Sequence, residues 1–381
     1  MRIAVIGCGY VANFYLKTLP LYPELQLLGV MDRDAQRAAK FAAHYSTPLF
    51  HSLDAVLDDP RVELVVNLTN PASHFAVSKA CLEAGKHVYS EKPLALSFAE
   101  AKQLVDLAER KGLLIASAPS RILAETAQTL WKALREKAIG NAYLTYAEMD
   151  DGLVHRMPYR HWVNELGTGW PYRNEFETGC TLEHAGYVVS LLTAFFGPVR
   201  TVTAFSSVRI PDKVPDIPDL ADAPDFSLAC LNFASGMVAR LTCSIVAPPD
   251  HSMRIFGSDG ILCTDDIWKP RASVYVKRSI RIRRRVVALP WKSRYPLAGP
   301  PASLARAQMR RLDGRKVDYC LGIAEMAAAI RENRLCRLSP QYCLHNNEVV
   351  LAIHNAQETG AIYHVTTSFD PPEPMPWAQS V

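Results

Sequence analysis

The sequence predicts an α/β chain in two parts: an N-terminal doubly wound parallel sheet and a C-terminal α+β domain with a large, mainly antiparallel open sheet. Three observations lead there. Strand-like apolar runs alternate with helical stretches through residue 120, the pattern of parallel strands joined by helical crossovers. The first of those strands feeds a glycine turn, and an acid, Asp32, closes the second strand about 20 residues further on. Beyond Arg121 neighbouring strands are joined by short turns, which antiparallel pairing allows and parallel pairing does not.

Composition agrees with two domains and narrows the partners. At 381 residues the chain exceeds one ordinary domain, and the boundary is expected at residue 120, giving 1–120 and 121–381. With 49% hydrophobic and 21% charged residues it has what a soluble globular protein needs to bury a substantial core. A net charge of +4 is too small to argue for nucleic acid or a membrane surface. The basic run Arg278–Arg285 reads as a solvated strand face. No apolar run approaches the about 20 residues of a membrane span. Met1 leads straight into a core strand, which leaves no room for a signal peptide. Nine cysteines, an odd number without CxxC pairs and mostly in apolar runs such as SLACLNF around Cys230, read as reduced thiols of a cytoplasmic protein.

The first strand is Ile3–Ile6. Gly7, Cys8, Gly9, Tyr10, Val11 and Ala12 then spell G-x-G-x-x-A, and helical character runs from Asn13 to Thr18. A strand feeding a glycine turn feeding a helix is what a dinucleotide pyrophosphate needs. Gly7 permits the tight turn, Gly9 lets the backbone approach the phosphates, and Ala12 allows close helix–strand packing. Gln26–Met31 is the second strand, ending at Asp32. Ala35–His44 and Ala55–Leu57 read as helices, and Val62–Leu68 as a strand buried on both faces. That strand runs into Thr69, Asn70 and Pro71, with His74 opening a helix over Phe75–Ala84 that Gly85 closes. The strand His87–Tyr89 leads to Glu91, Lys92 and Pro93, followed by a helix over Ser97–Lys111 and a strand over Leu113–Ala116. Ligands of such sheets bind outside the carboxyl ends of the strands, where the glycine turn, Asp32, Thr69–Asn70 and Glu91–Lys92 all fall.

In the second half a helix over Ala124–Lys137 precedes strands at Ala142–Asp150, Val199–Val208, Phe226–Phe233 and Met237–Ile245. A further pair, Met253–Phe256 and Ile261–Thr264, is joined by the turn Gly257–Gly260. Ile280–Arg283 alternates like a strand with one wet face. Two long irregular segments, Ile210–Asp225 and Leu289–Leu304, are of a length more often functional or mobile than neutral. Cys320–Asn333 and Glu348–Gln357 read as helices, and the tail from Asp370 as unstructured.

Glu91-Lys92-Pro93, after a His-Val strand, resembles the E-K-P motif of the Gfo/Idh/MocA oxidoreductases, the glucose–fructose oxidoreductase, inositol dehydrogenase and rhizopine-catabolism family. The resemblance extends to the glycine turn, the Asp32 region, the T-N-P-x-x-H stretch at Thr69–His74, the strands around the G-x-x-G turn in Phe226–Asp265 and the closing helices. It implies a Rossmann domain, a C-terminal domain whose open sheet mediates a homodimer or homotetramer, and hydride transfer between NAD(P) and a sugar, cyclitol or sugar derivative. It assigns cofactor contacts to Gly7, Gly9, Tyr10, Val11, Ala12, Asp32, Arg33, Thr69, Asn70, Pro71, His74, Glu91 and Lys92. Lys92 is the expected proton-handling group, since positive charge beside an ammonium lowers its pKa and alcohol oxidation must release a proton.

The family's G-G-G-x-L-x-D-x-G-x-H element is matched by Glu177–Tyr187, with Glu183 at the aspartate position and Tyr187 at the histidine position. Gly197, ten residues beyond Tyr187, favours this register. A slip of one residue would place His184 on the aspartate and Val188 on the histidine, and valine does no proton chemistry. The catalytic candidates are therefore Lys92, Tyr187, Glu183 and His184. Glu183 and Tyr187, four apart, are expected on one helical face, and Tyr187 must have its pKa lowered to act as a base.

Cofactor choice follows from charge: Asp32 suits both ribose hydroxyls of NAD, and Arg33 compensates in part toward NADP, so NAD is the favoured cofactor. A carbohydrate-like substrate is expected to meet Lys92, Arg121, His161, Trp170, Tyr172, Arg173 and Tyr187, because aromatics with interspersed donors suit sugar rings. Asp151, His155 and His161 match no zinc spacing, and no metal is expected. Two other readings stay open: an NAD-dependent glycosidase or lyase that oxidises its sugar transiently, and a non-catalytic NAD-binding regulator.

Overall fold

The computed structural model describes residues 1–214, 223–300 and 317–379. The chain forms two compact units. The first comprises Met1–Ser120, Pro158–Thr178 and Asp318–Asn347; the second comprises Arg121–Met157, Gly179–Val317 and Glu348–Val381. The first thus holds, besides the expected 1–120, two later segments of the chain.

The first unit is built on a five-stranded sheet in the order β2-β1-β3-β4-β5, with β1 at Arg2–Ile6, β2 at Gln26–Met31, β3 at Leu64–Asn67, β4 at His87–Ser90 and β5 at Ile115–Ser117. Every pairing is parallel. All four residues of β3 are buried, as a strand covered on both faces requires. The connecting helices are α1 (Ala12–Thr18), α2 (Ala35–Tyr45), α3 (Leu53–Leu57), α4 (Pro71–Glu83) and α5 (Phe98–Arg110). Local chemistry sets their starts: Asp34, Ser52 and Ser97 accept first-turn N–H groups of α2, α3 and α5. The helix expected from Phe75 begins at Pro71, whose fixed φ suits the first helical position, so His74 lies inside its first turn.

Segment 158–178 joins this unit through a Lys17–Glu165 ion pair and a hydrogen bond from Lys40 Nζ to the Leu166 carbonyl at 2.5 Å. It ends in a helix, Tyr172–Thr178, that periodicity does not announce. Segment 318–347 brings the helix Leu321–Glu332 and the start of the helix Pro340–His354. The latter, expected from Glu348 by its own pattern and over Leu338–Ala352 by the family resemblance, starts at a proline. Glu325, buried in the first helix, is gripped by Arg334 and Arg337.

The second unit carries a ten-stranded sheet in the order β13-β12-β11-β10-β6-β9-β8-β7-β15, with β14 paired to β12. Its strands are β6 (Ala142–Asp150), β7 (Val199–Ser207), β8 (Phe226–Phe233), β9 (Val238–Ser244), β10 (Met253–Gly257), β11 (Gly260–Thr264), β12 (Val274–Ile282), β13 (Arg285–Ala288), β14 (Ser293–Arg294) and β15 (Tyr363–His364). The pairings are antiparallel except β6 with β9. β8 alternates buried and exposed residues along its length, so one face lies on the core. The opposite face leaves Phe205 more than half exposed. The core carries α6 (Glu125–Arg135) and the helix Gly186–Phe196, whose Trp131 and Phe195 rings meet at 6.0 Å.

The strand expected at Ile280–Arg283 is the end of β12, and it is wet on both faces rather than one. It projects as a hairpin with β13, leaving Ile282 and Val286 53% and 67% exposed, and Arg283 turns at φ 53°. The segment expected to be irregular over Leu289–Leu304 holds β14, and its residues 301–304 lie outside the described residues. Of Ile210–Asp225, residues 215–222 lie outside them; the last residue, Asp225, is buried and accepts the Arg209 and Ile210 N–H groups.

Candidate active site

The first unit gathers its chemistry at the carboxyl ends of β1 to β4. Gly7 turns at φ 97°, and a Cβ there would stand 2.5 Å from the Leu68 carbonyl oxygen, so no side chain fits. Gly9 differs: a Cβ there would meet nothing within 4 Å. The protein itself makes no demand for glycine at Gly9, and the demand falls to whatever approaches that backbone. Ala12 is fully buried where the turn enters α1.

Asp32 faces inward. Its Oδ2 accepts the Cys8 N–H at 2.8 Å and its Oδ1 the Asp34 N–H at 2.9 Å, with the Arg37 guanidinium 3.6 Å away. Each oxygen keeps one lone pair for a ribose hydroxyl, and the carboxylate doubles as the brace of the glycine turn. Arg33 and Arg37 are exposed beside it.

Beyond β3, the buried Asn67, which sequence reasoning passed over, knits the next loop. Its Oδ1 accepts the Thr69 hydroxyl at 2.7 Å, and its Nδ2 donates to the His74 carbonyl and to Ser78. Asn70 stands at the N-cap of α4 yet makes no side-chain capping bond. His74 is fully buried, its Nδ1 facing the Pro93 carbonyl at 2.7 Å and its Nε2 the Thr69 carbonyl at 3.0 Å, the place of a strut between two loops. Glu91 is likewise engaged: Oε1 accepts the Tyr15 hydroxyl at 2.6 Å and Oε2 the Lys92 N–H at 3.0 Å. Burial, then the Glu91 charge, holds the Tyr15 phenol far above its ordinary range, so it stays a donor and fixes the peptide carrying Lys92.

In segment 158–178, Tyr159 is buried against Tyr172 and Phe176, at 5.2 and 5.3 Å between ring centroids, and Trp162 packs on Trp170 at 5.0 Å. His161 is exposed. Arg173 bonds Glu177 one helical turn on at 2.8 Å, so its charge already has a carboxylate partner.

The second unit holds another cluster. Gly179, at φ 83°, enters it; a Cβ there would stand 2.8 Å from the Ala223 side chain. Thr181–Ala185 is wound as one π turn before the helix Gly186–Phe196, so the four-residue spacing of Glu183 and Tyr187 spans a turn wider than α. Glu183 is buried and Tyr187 half-buried. The Tyr187 ring packs on Trp268 at 4.6 Å, and the Arg121 guanidinium lies 5.9 Å from the Tyr187 centroid and 5.0 Å from that of Trp268. A cation over these rings is favourable.

His184 Nδ1 pairs with Asp151 Oδ2, and His251 Nε2 meets Asp151 Oδ1 at 2.7 Å. His251 stacks on Trp268 at 5.6 Å. Burial raises the Asp151 pKa, and the two imidazoles more than offset it, holding the carboxyl well below its usual range. For His251 burial lowers the pKa, and the Asp151 bond and the Asp151 and Asp266 charges bring it out raised. Asp151, which the sequence offers as an apparent metal ligand, is thus held by two histidines, one of them a hundred positions away. No local spacing could have found that pairing.

Comparison with known proteins adds the following. A family model described as "Oxidoreductase family, NAD-binding Rossmann fold" matches residues 1–118, and one described as "GFO/IDH/MocA C-terminal domain" matches residues 127–263. The chain is 26% identical over 273 residues to trans-1,2-dihydrobenzene-1,2-diol dehydrogenase of Mus musculus, covering 71% of this chain and 76% of that protein. It is 28% identical over 266 residues to UDP-N-acetylglucosamine 3-dehydrogenase of Acidithiobacillus ferrooxidans, covering 70% and 74%. In fold it is similar to the WlbA dehydrogenase of Bordetella pertussis, solved with NADH and UDP-GlcNAcA: TM-score 0.72, 17% identity, 97% of this chain and 98% of that one.

Proposed function

The chain belongs to the Gfo/Idh/MocA oxidoreductases and is an NAD(P)-dependent enzyme of that family, and from this premise we propose that it moves a hydride between a nicotinamide and a ring hydroxyl or ketone of a sugar, cyclitol or sugar derivative. The observation that carries this reading is the carboxyl-end constellation. Gly9 is open to a close-approaching group, Asn70 spends no side-chain bond on its helix, and Glu91 and Tyr15 pin the peptide of Lys92. These features fit a dinucleotide, whose nicotinamide supplies the hydride acceptor when bound.

The chain's own residues then do the following. The glycine turn and Asn70 bind and orient the cofactor. Lys92 holds the reacting oxygen and takes its proton as the hydride leaves carbon. In the second unit Tyr187, with Arg121 beside its ring, offers a hydroxyl to a substrate oxygen at the position of the family histidine. Relatives named for a dihydrodiol and a UDP-sugar support a substrate with neighbouring oxygens on a ring.

On the cofactor, the turned-in Asp32 supports acceptance of NADP beside the favoured NAD. Its charge is partly met by Arg37, and Arg33 stands exposed beside it, so a 2′-phosphate meets two guanidinium groups as well as one carboxylate. The exposed Phe205, Leu228 and Val238 on one sheet face support assembly of copies through that face, read out by light scattering. Among the described residues no helix is long and apolar enough to cross a membrane. The nine cysteines are free, and burial pushes the Cys8, Cys81 and Cys343 thiols up to about 12, in keeping with residence in the cytoplasm.

The test is absorbance of the reduced nicotinamide with a panel of sugars, cyclitols and nucleotide sugars. Turnover of one panel member is expected, and Lys92→Met should lower kcat by about 10³-fold while cofactor still binds by fluorescence titration. Undiminished turnover in that variant overturns the assignment of Lys92.

A further inference from the structure

Charge is spread unevenly along this chain. Eight lysines and arginines, and no aspartate or glutamate, fall within residues 274–294. The whole chain carries +4, so without these eight cations it is net negative. A modest total thus conceals one strongly basic projection, the hairpin of β12 and β13 with β14 beside it.

The register shows what else the hairpin carries. Residues two apart on a strand share a face, so Ile280 and Ile282 continue the face that holds Val274 and Val276 in the core. Val287 stands opposite Ile280 on that face, and Val286 stands opposite Arg281 on the other. A strand leaving the core ordinarily turns polar; this one keeps its core face aliphatic, with Ile280 41% exposed. Trp291, 64% exposed, stands at the foot of the hairpin just ahead of β14. The cations are interleaved with these side chains: Arg285 stands opposite Ile282, and Arg283 and Arg284 form the tip between the strands. Lys292 is paired with Asp265 at 3.3 Å. Among the described residues no ion pair engages Arg278, Arg281, Arg283, Arg284 or Arg285.

We propose that the β12–β13 hairpin is a docking arm for an anionic lipid surface. It lies flat in the headgroup layer, with the face of Ile280, Ile282 and Val287 toward the acyl boundary and the guanidinium groups on lipid phosphates. The charged tip at Arg283 and Arg284 excludes entry point-first, because hydrocarbon would strip both groups of water. Arginine stems lay their methylenes on an apolar layer and leave the charge at its edge. Apolar insertion and polybasic attraction act together, as stable attachment to a membrane surface requires. A nucleic acid would use the cations equally well, but Ser279–Ala288 offers no ring for a base to stack on, and its aliphatics gain nothing from a phosphate backbone. A second copy docking through the same arm would set cation against cation. The inference stands apart from the dehydrogenase reading.

The test is sedimentation of the full chain with vesicles of phosphatidylcholine alone, or of three parts phosphatidylcholine to one of phosphatidylserine. Binding is expected to the anionic vesicles only, and to weaken as salt is raised. Arg283→Glu with Arg284→Glu should weaken it about 10²-fold. Ile280→Ser with Ile282→Ser should weaken it about tenfold. Both double variants should keep the wild-type melting temperature, since the side chains they change lie outside the core. Wild-type protein left in the supernatant with anionic vesicles overturns the proposal, and that result needs no variant to fold. Binding unchanged in either double variant overturns it too. Tighter binding to DNA than to vesicles, kept by the serine variant, would make the arm a nucleic-acid contact. Loss of an oligomer by light scattering in the glutamate variant, with no vesicle binding by the wild type, would make it a contact between copies. Either outcome ends the lipid assignment.

Discussion

The two polar constellations differ in how their members are spaced along the chain. In the first unit each contributor sits within a few residues of a strand end: Gly7 and Gly9 after β1, Asp32 after β2, Thr69 and Asn70 after β3, Glu91 and Lys92 after β4. Parallel strands with right-handed crossovers bring such ends to one edge by construction, so a local motif is already a placed motif. In the second unit Arg121, Asp151, His184, His251 and Trp268 come from five separate elements and meet only once a mixed sheet has formed. The first arrangement constrains the backbone; the second constrains ring orientation and charge.

Four changes would break or sharpen that contrast. The largest effect is expected at Tyr187→Phe, which keeps the ring on Trp268 and removes only the hydroxyl. Steady-state kinetics should show kcat down about 10²-fold with little change in KM and an unaltered melting curve. A comparable kcat would mean the hydroxyl handles no proton.

Next comes the pair Gly7→Ala and Gly9→Ala. The first forces a Cβ onto the Leu68 carbonyl at a positive φ and should cost about 2 kcal/mol of stability in denaturant unfolding. The second should leave stability within about 0.5 kcal/mol while weakening cofactor binding about tenfold by titration. Equal behaviour of the two would erase the distinction between a glycine the fold needs and one the ligand needs.

A smaller effect is expected from replacing Arg33 and Arg37 together by serine. The ratio of kcat/KM for NADP⁺ over NAD⁺ should fall about tenfold, about 1.4 kcal/mol. An unchanged ratio would return the cofactor assignment to Asp32 alone.

The smallest is a pH effect on stability. His251 has its pKa raised above the ordinary 6.5, so its pairing with Asp151 contributes fully below pH 6.5 and is lost as pH rises through the folded value. The melting temperature should decline slightly over that window, and His251→Gln should flatten the decline. A rise with pH would reverse the sign of the assigned interaction.

Much of the first unit was legible because each of its elements carries its own signal: an apolar run, a glycine turn, a serine or aspartate cap. Strands Gln26–Met31, Ala142–Asp150 and Phe226–Phe233 fall where the pattern puts them. The helices from Pro71 and Pro340 start ahead of where their periodicity begins, because a proline-led first turn carries no apolar pattern of its own. The strand Arg285–Ala288 was missed because both of its faces are wet, which removes the alternation a strand announces itself by. The roles of Asn67, Tyr15 and His251 depend on partners distant in sequence, and no local pattern carries them. Asp32 was found but its orientation was not: a carboxylate at a strand end can face a ligand or its own turn, and spacing is the same in both cases.

His74 carries a consequence for how this edge of the sheet responds to occupancy. One imidazole grips the carbonyls of Thr69 and Pro93, so the stretches on either side of it are yoked. The loop that leads into Asn70 and the peptide that follows Lys92 thus share a single partner that no solvent reaches, so neither has a resting position independent of the other.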